Sequence, residues 1–203
     1  MSIERVGVVG AGQMGGGIAE VCAKAGAQVL VYEPSEELVE AGRTRITASL
    51  ERAKAKGKLA ADDFEVAMAR LSYTTELADM ADRQLVIEAI VENEAVKAKV
   101  FADLDSVVTD PDAVLASNTS SIPIMKIAAA TTNPSRVLGL HFFNPVPVLP
   151  LVEVIDTLVT SPEAVAKVEK FAGEALGNVG ETVGAMASGA GEMVSGAGEA
   201  AGA

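Results

Sequence analysis

The feature that most constrains the fold is the hexapeptide Gly10-Ala11-Gly12-Gln13-Met14-Gly15, a G-x-G-x-x-G. It directly follows the β-branched run Arg5–Val9. It opens a stretch, Gln13–Lys24, in which Met14, Ile18, Val21 and Cys22 recur at helical spacing. A second apolar run, Gln28–Val31, follows and closes at Tyr32-Glu33-Pro34. Two neighbouring parallel strands joined by a helix require a right-handed crossover and a sheet covered on both faces. Each glycine has a task in such a turn. Gly10 permits the tight bend, Gly12 lets backbone approach a bound group, and Gly15 lets the helix close on the strand. The N–H groups that open the helix have no partners within it and form its positive end, so a pyrophosphate fits against them.

Glu33 stands 18 residues past Gly15, at the end of the second strand. A carboxylate there can take both hydroxyls of a ribose. The same carboxylate repels a 2′-phosphate, which favours NAD over NADP. The plain alternative is a glycine-rich turn beside a surface glutamate, and it leaves the common register of strand, helix and acid unexplained.

The alternation continues. The spacing predicts a long helix capped by Ser35, with an inner stripe of Val39, Ile46, Leu50 and Ala53, running to Lys56 where Gly57 ends it. A helical turn at Ala61–Arg70 leads to strands at Leu71–Tyr73 and Leu85–Ala89. A helix at Val96–Val108, strands at Val114–Ser117, Arg136–His141 and Leu151–Ile155, and a helix at Pro162–Leu176 follow. The expected class is α/β, a doubly wound, mostly parallel sheet. At 49% apolar residues the chain can build a real core. Sixteen Lys and Arg against 28 Asp and Glu give a net charge of −12, which argues against nucleic acid or an anionic membrane as partner. A single cysteine excludes an internal disulfide and a cysteine-built zinc site, and no metal site is expected. The N-terminus has no basic n-region and charge breaks every long apolar run, so neither signal peptide nor membrane span is expected, and a cytoplasmic chain is.

Past residue 176 the composition changes. Of the 27 residues from Gly177 to Ala203, eight are Gly and seven Ala, with no Leu, Ile, aromatic, Lys or Arg. Ser-Gly-Ala-Gly-Glu occurs twice, and Gly177, Gly184, Gly191 and Gly198 keep a period of seven. Such a segment cannot bury a core and reads as a flexible tail, with a small-residue helix against a partner as the sharper alternative. The division is thus a domain at 1–176 and a low-complexity tail at 177–203.

Two further features bear on chemistry. Arg43, Arg45, Arg52, Lys54, Lys56 and Lys58 fall within 16 residues, opposed only by Glu51. Arg45, Ser49, Arg52 and Lys56 share one side of their helix. This is either a solvated face or a docking site for a polyphosphate such as the nucleotide end of coenzyme A. The one histidine, His141, ends a strand at the sheet edge where ligands of open α/β sheets sit. Glu153 lies 12 residues on, past a turn at Asn144–Pro150, so the chain can set a carboxylate against the imidazole and make it a better proton acceptor. The alternative is a strand-end histidine satisfied by solvent or backbone. Ser117-Asn118-Thr119-Ser120-Ser121 closes another strand at that edge, where its hydroxyls serve a ligand or cap the next helix.

Together Gly10–Gly15 with Glu33, IEAIVENEAVK (Ile87–Lys97), ASNTSS (Ala116–Ser121) and HFFNPVPVLPLVEV (His141–Val154) resemble the 3-hydroxyacyl-CoA dehydrogenases, and within them the short-chain 3-hydroxybutyryl-CoA type of actinobacteria. The resemblance covers about residues 3–176. It implies a Rossmann-type fold and NAD as cofactor. It implies hydride transfer between NAD and C3 of a (3S)-3-hydroxyacyl-CoA, in fatty-acid or butanoate metabolism. By motif, His141 is implied as catalytic base, Glu153 as its partner and Ser120 as a contact of the substrate's 3-oxygen and the nicotinamide side. Glu92, Lys97 and Asn144 are implied as NAD contacts, joining Gly10, Ala11, Gly12, Gln13, Met14, Gly15 and Glu33, and Ser49 and Lys56 as contacts of coenzyme A.

Members of that family continue past the position of Gly177 into a last strand and a helical domain that supplies dimer contacts, one cleft wall and a catalytic asparagine. The expectation here is that the Gly/Ala segment stands in place of that domain. A non-catalytic NAD-binding module is therefore the alternative to a dehydrogenase. Related dehydrogenases of small hydroxy acids share the glycine turn but use a lysine base and lack HFFNP.

Overall fold

The computed structural model describes residues 2–149 and 151–176, and the tail expected at 177–203 lies outside them. The first strand, β1 (Arg5–Val9), runs into the glycine turn and α1 (Gln13–Lys24), which returns the chain to β2 (Gln28–Tyr32). Next comes α2 (Glu36–Ala55), whose cap is the Ser35 hydroxyl accepting from the Leu38 N–H at 3.4 Å. Gly57 sits just beyond its end with φ of +67°, a left-handed conformation that glycine adopts without strain. The chain continues through α3 (Ala61–Ala69), β3 (Leu71–Thr74), β4 (Leu85–Glu88), α4 (Glu94–Val107), β5 (Val114–Ser117), α5 (Ile124–Ala128), β6 (Val137–Phe142), β7 (Val152–Ile155) and α6 (Pro162–Leu176).

These strands form one seven-stranded sheet in the order β3-β2-β1-β4-β5-β6-β7. The first six are parallel, and β7 pairs antiparallel with β6. The doubly wound, mostly parallel α/β sheet expected from the sequence is therefore present. Order reverses between β1 and β4, and this switch point leaves a crevice beyond the carboxyl ends of the strands. Two apolar layers cover the faces. On one, Val6, Val8 and Leu138 of the sheet pack with Ile18, Ile46, Leu50, Val168 and Phe171 of the helices. On the other, Val9, Val86 and Leu115 pack with Phe101, Leu104 and Ile127. Truncating a wholly buried side chain such as Phe101 to Ala would cost about 3–5 kcal/mol.

Some boundaries differ from the sequence reading. The helix expected to start at Val96 starts at Glu94, because the Asn93 side chain accepts from the Val96 N–H at 3.1 Å and so caps it. The strand expected at Leu85–Ala89 ends at Glu88. Arg136 belongs not to β6 but to a short 3-10 turn, Pro134–Arg136, and its guanidinium pairs with the buried Asp105 at 2.7 Å. The helix that the Ser117–Ser121 run was expected to cap has no bounds in the sequence pattern, and it is the short α5, whose N-cap position is Pro123 with no side-chain hydrogen bond. Among the described residues no helix is long and apolar enough to cross a membrane.

Candidate functional site

The glycine turn has the geometry its sequence demands. Gly10 has φ of +99°, and a Cβ there would lie 2.8 Å from the Ala89 carbonyl oxygen. A Cβ on Gly15 would lie 1.8 Å from the Gly10 carbonyl oxygen, so only glycine lets α1 start this close to the strand it leaves. A Cβ on Gly12 would meet nothing within 4 Å. That open space adjoins the N-terminal turn of α1, where Gly12 caps the helix without a side-chain hydrogen bond. Its N–H groups are thus available to an anion, as a dinucleotide's pyrophosphate requires. The Glu33 carboxylate reaches back to accept from the Ala11 N–H, which holds the acid beside the turn. Open space, free N–H groups and an acid at the second strand end together fit a dinucleotide.

Beyond the switch point lies a cleft of about 350 Å³. Met14 of the turn, Glu92 and Lys97 after β4, Asn118 and Ser120 after β5, and His141, Phe143 and Asn144 at the end of β6 line it. Antiparallel pairing sets His141 directly opposite Glu153, and Nδ1 lies 2.9 Å from Oε2. The neighbouring Phe143 ring leans on the imidazole with ring centres 4.7 Å apart. With Nδ1 engaged by the carboxylate, Nε2 is the nitrogen left for proton exchange. At the far side, the Asn144 Oδ1 accepts from Gln13 Nε2 at 3.1 Å, tying the histidine loop to the glycine turn.

Under the cleft runs a polar network centred on Glu88, a residue to which the sequence reading gave no role. Glu88, wholly buried at the end of β4, accepts from Lys97 Nζ at 2.5 Å, from the Ser117 hydroxyl at 2.7 Å and from the Ile90 N–H at 2.7 Å. Lys97 is itself 1% exposed and has Glu92 as a second partner at 3.3 Å. Burial pushes the Glu92 carboxyl up, but the Thr119 and Ser121 hydroxyls and the Lys97 ammonium outweigh it and hold the group below the usual carboxylate range. Thr119 also accepts from the Ile122 N–H at 3.0 Å, so its hydroxyl shapes the turn. Ser120 is the hydroxyl of the run that lines the cleft. The only signal for Glu88 in the sequence was an acid ending an apolar run, Leu85-Val86-Ile87. Cys22 is no candidate nucleophile, since burial pushes its thiol up to about 12.

The basic helix divides on inspection. Arg45 donates to the Ala11 carbonyl at 2.5 Å, Arg43 stacks over the Tyr73 ring and Lys54 over the Phe64 ring. Among the described residues, Arg52, Lys56 and Lys58 make no ion pair. Ser49 and Arg52 line a second pocket of about 170 Å³, whereas Lys56 follows the end of α2, exposed and outside that lining.

Residues 5–183 match a family model described as the NAD-binding domain of 3-hydroxyacyl-CoA dehydrogenase. The chain belongs to that family. The 3-hydroxybutyryl-CoA dehydrogenase of Mycobacterium tuberculosis H37Rv is 66% identical over 176 residues, which are 87% of this chain and 62% of the relative. A probable 3-hydroxybutyryl-CoA dehydrogenase of Deinococcus radiodurans is 46% identical over 173 residues, 85% of this chain and 61% of the relative. Among solved structures, M. tuberculosis FadB2 superposes with a TM-score of 0.85 at 65% identity, over 87% of this chain and 62% of that one. The (S)-3-hydroxybutyryl-CoA dehydrogenase of Ralstonia eutropha gives 0.83 at 42% identity, over 86% and 61%. The chain thus spans about three fifths of the length of these relatives. The domain it matches in this 3-hydroxyacyl-CoA dehydrogenase family is the NAD-binding one, as the turn and Glu33 led us to expect.

Proposed function

We propose that residues 1–176 form the nucleotide-binding, base-bearing domain of an NAD-dependent dehydrogenase acting on short-chain (3S)-3-hydroxyacyl-CoA, typified by 3-hydroxybutyryl-CoA and acetoacetyl-CoA. The observation that carries this reading is the His141–Glu153 pair at 2.9 Å, on the same cleft as the glycine turn. Gly10–Gly15 hold the pyrophosphate, and Glu33 the adenosine ribose. Glu92, Lys97 and Asn144 contact the nicotinamide half. Bound NAD supplies the hydride acceptor for C3. His141 Nε2 takes the proton of the 3-hydroxyl, Glu153 steadies the imidazolium that results, and Ser120 donates to the 3-oxygen. Ser49 and Lys56 meet the coenzyme A moiety. The net charge of −12 supports neither nucleic acid nor an anionic membrane as partner, and the cytoplasm as the place of action belongs to the same proposal.

The test is loss of reduced-nicotinamide absorbance when the chain, at high concentration, is mixed with NADH and acetoacetyl-CoA. Turnover that falls about 10²-fold or more in His141→Gln is expected of a general base. Turnover that persists in that variant would remove His141 from the mechanism. A second reading, an NAD-binding module without turnover, draws on the match to a family model that describes an NAD-binding domain. It predicts NADH binding with no absorbance loss in the wild type.

A further inference from the structure

Glu20 is a buried acid whose carboxylate accepts no hydrogen bond from the described residues. It sits in α1 at 1% exposure, and neither carboxylate oxygen has a hydrogen-bond partner among the described residues. Its nearest cation, Lys24 Nζ, stands 3.7 Å from Oε1, an ion-pair distance but beyond a hydrogen bond. Buried polar groups in folded proteins are nearly always satisfied, because leaving them bare costs a large share of their hydration. Glu20 lines the second pocket of about 170 Å³ together with Gln13, Arg45, Ser49, Arg52 and Asn144, against a wall formed by residues 145–147.

The position of this pocket is informative. Asn144 lines both it and the His141 cleft, so the two spaces meet at that residue. Ser49 and Arg52 bring the same pocket to the basic face of α2. If the function proposed above holds, the thioester end of the substrate lies at His141 and its phosphates at α2. The connecting arm then crosses the pocket beside Glu20. That arm, pantetheine, carries two secondary amides whose N–H groups need acceptors once they leave water. Arg45 is already held by the Ala11 carbonyl, and Glu20 is the one carboxylate in the pocket lining, the strongest acceptor an amide N–H would meet on this path.

Resting on that function, we propose that Glu20 accepts an amide N–H of the pantetheine arm, making it a recognition contact for CoA thioesters. The 203-residue chain is titrated calorimetrically with CoA, with adenosine 3′,5′-bisphosphate, which lacks the arm, and with NADH as a control of folding. In Glu20→Leu, affinity for CoA falls about tenfold, the worth of one hydrogen bond to a charged group, and affinity for the bisphosphate and NADH holds. In Glu20→Gln, which keeps an acceptor oxygen, CoA affinity stays within about threefold of wild type. A CoA analogue methylated at both pantetheine amide nitrogens binds wild type about tenfold more weakly than CoA, so the proposal remains open to refutation even if Glu20→Leu fails to fold. Equal losses for CoA and the bisphosphate, or an analogue as tight as CoA, would overturn it and leave the carboxylate to a buried water. Wild-type chain that binds NADH but neither CoA nor the bisphosphate would overturn the CoA reading as well.

Discussion

Glu153 stands across the β6–β7 ladder from His141 with Oε2 2.9 Å from Nδ1, so the strand register itself aims the carboxylate at the imidazole. The pairing depends on no flexible loop. Glu153 remains 44% exposed, which separates its effect on catalysis from its effect on folding. Under the proposed function, Glu153→Gln is expected to lower kcat for acetoacetyl-CoA reduction about 10²-fold, with the KM for NADH little changed. The thermal midpoint should move by no more than about 2 °C. A variant with unchanged kcat would reduce the pair to a surface contact.

The two glycines at the turn separate binding from stability. Gly12 has φ of −63°, and its missing Cβ would touch no protein atom, so Gly12→Ala should shift folding stability by less than about 0.5 kcal/mol. Its new methyl intrudes where a pyrophosphate would lie, and NADH affinity should drop about tenfold. Gly15→Ala puts a methyl 1.8 Å from the Gly10 carbonyl oxygen, so it should lose both affinity and about 1–3 kcal/mol of stability. Urea unfolding and NADH fluorescence titration read the two effects. Equal stability losses in both variants would contradict this account.

Lys97 and Glu88 are each at most 1% exposed and make a close ion pair under the cleft. Removing one partner strands a buried charge. Lys97→Met should therefore cost about 3–5 kcal/mol in urea unfolding. The double variant Lys97→Met with Glu88→Gln leaves no buried bare charge and lets the glutamine accept from the Ile90 N–H through its oxygen and donate its amide N–H to the Ser117 hydroxyl, so it should recover a large part of that loss. Strictly additive losses would show that the pair is not coupled.

How much of this was legible in the sequence differs by kind of residue. The glycine turn was legible because φ, close approach and helix start all fall on a few adjacent positions. The His141 and Glu153 placement was legible in outline, since one histidine at a strand end and an acid across a turn leave few arrangements. Glu88 and Glu20 were not, for opposite reasons. Glu88 closes an apolar strand and looks like its solvent boundary, whereas Lys97 folds under from α4 to bury it. Glu20 occupies an ordinary polar position of a helix, and nothing in its local pattern tells that it is buried beside a pocket that residues 145–147, far along the chain, also line. The basic helix misled in part, because charge counting cannot tell that Arg45 turns inward to the Ala11 carbonyl. The bounds of α5 were not legible because Ile124–Ala128 is too short for a periodic pattern.

Asp105 and Arg136 supply an acid-sensitive clasp between α4 and the start of β6. Their side chains are 4% and 6% exposed, and Asp105 also accepts from both the N–H and the hydroxyl of Thr132 at 2.6 Å. Burial pushes the Asp105 carboxyl up, yet the Thr132 and Arg136 hydrogen bonds and the Arg136 charge together hold it below the usual carboxylate range. A carboxyl depressed in the folded state stabilises it fully above the ordinary value of about 4 and stops doing so as pH falls through the folded-state value. The stability difference between wild type and Asp105→Asn should thus be flat, at about 2 kcal/mol, from neutral pH down to about pH 5. It should shrink steadily below about pH 4 as the aspartate takes up its proton. Urea unfolding of both chains from pH 7 to about pH 3 measures the difference. A gap that widened on acidification would mean that the Asp105 carboxyl is raised by its burial and not lowered by its partners.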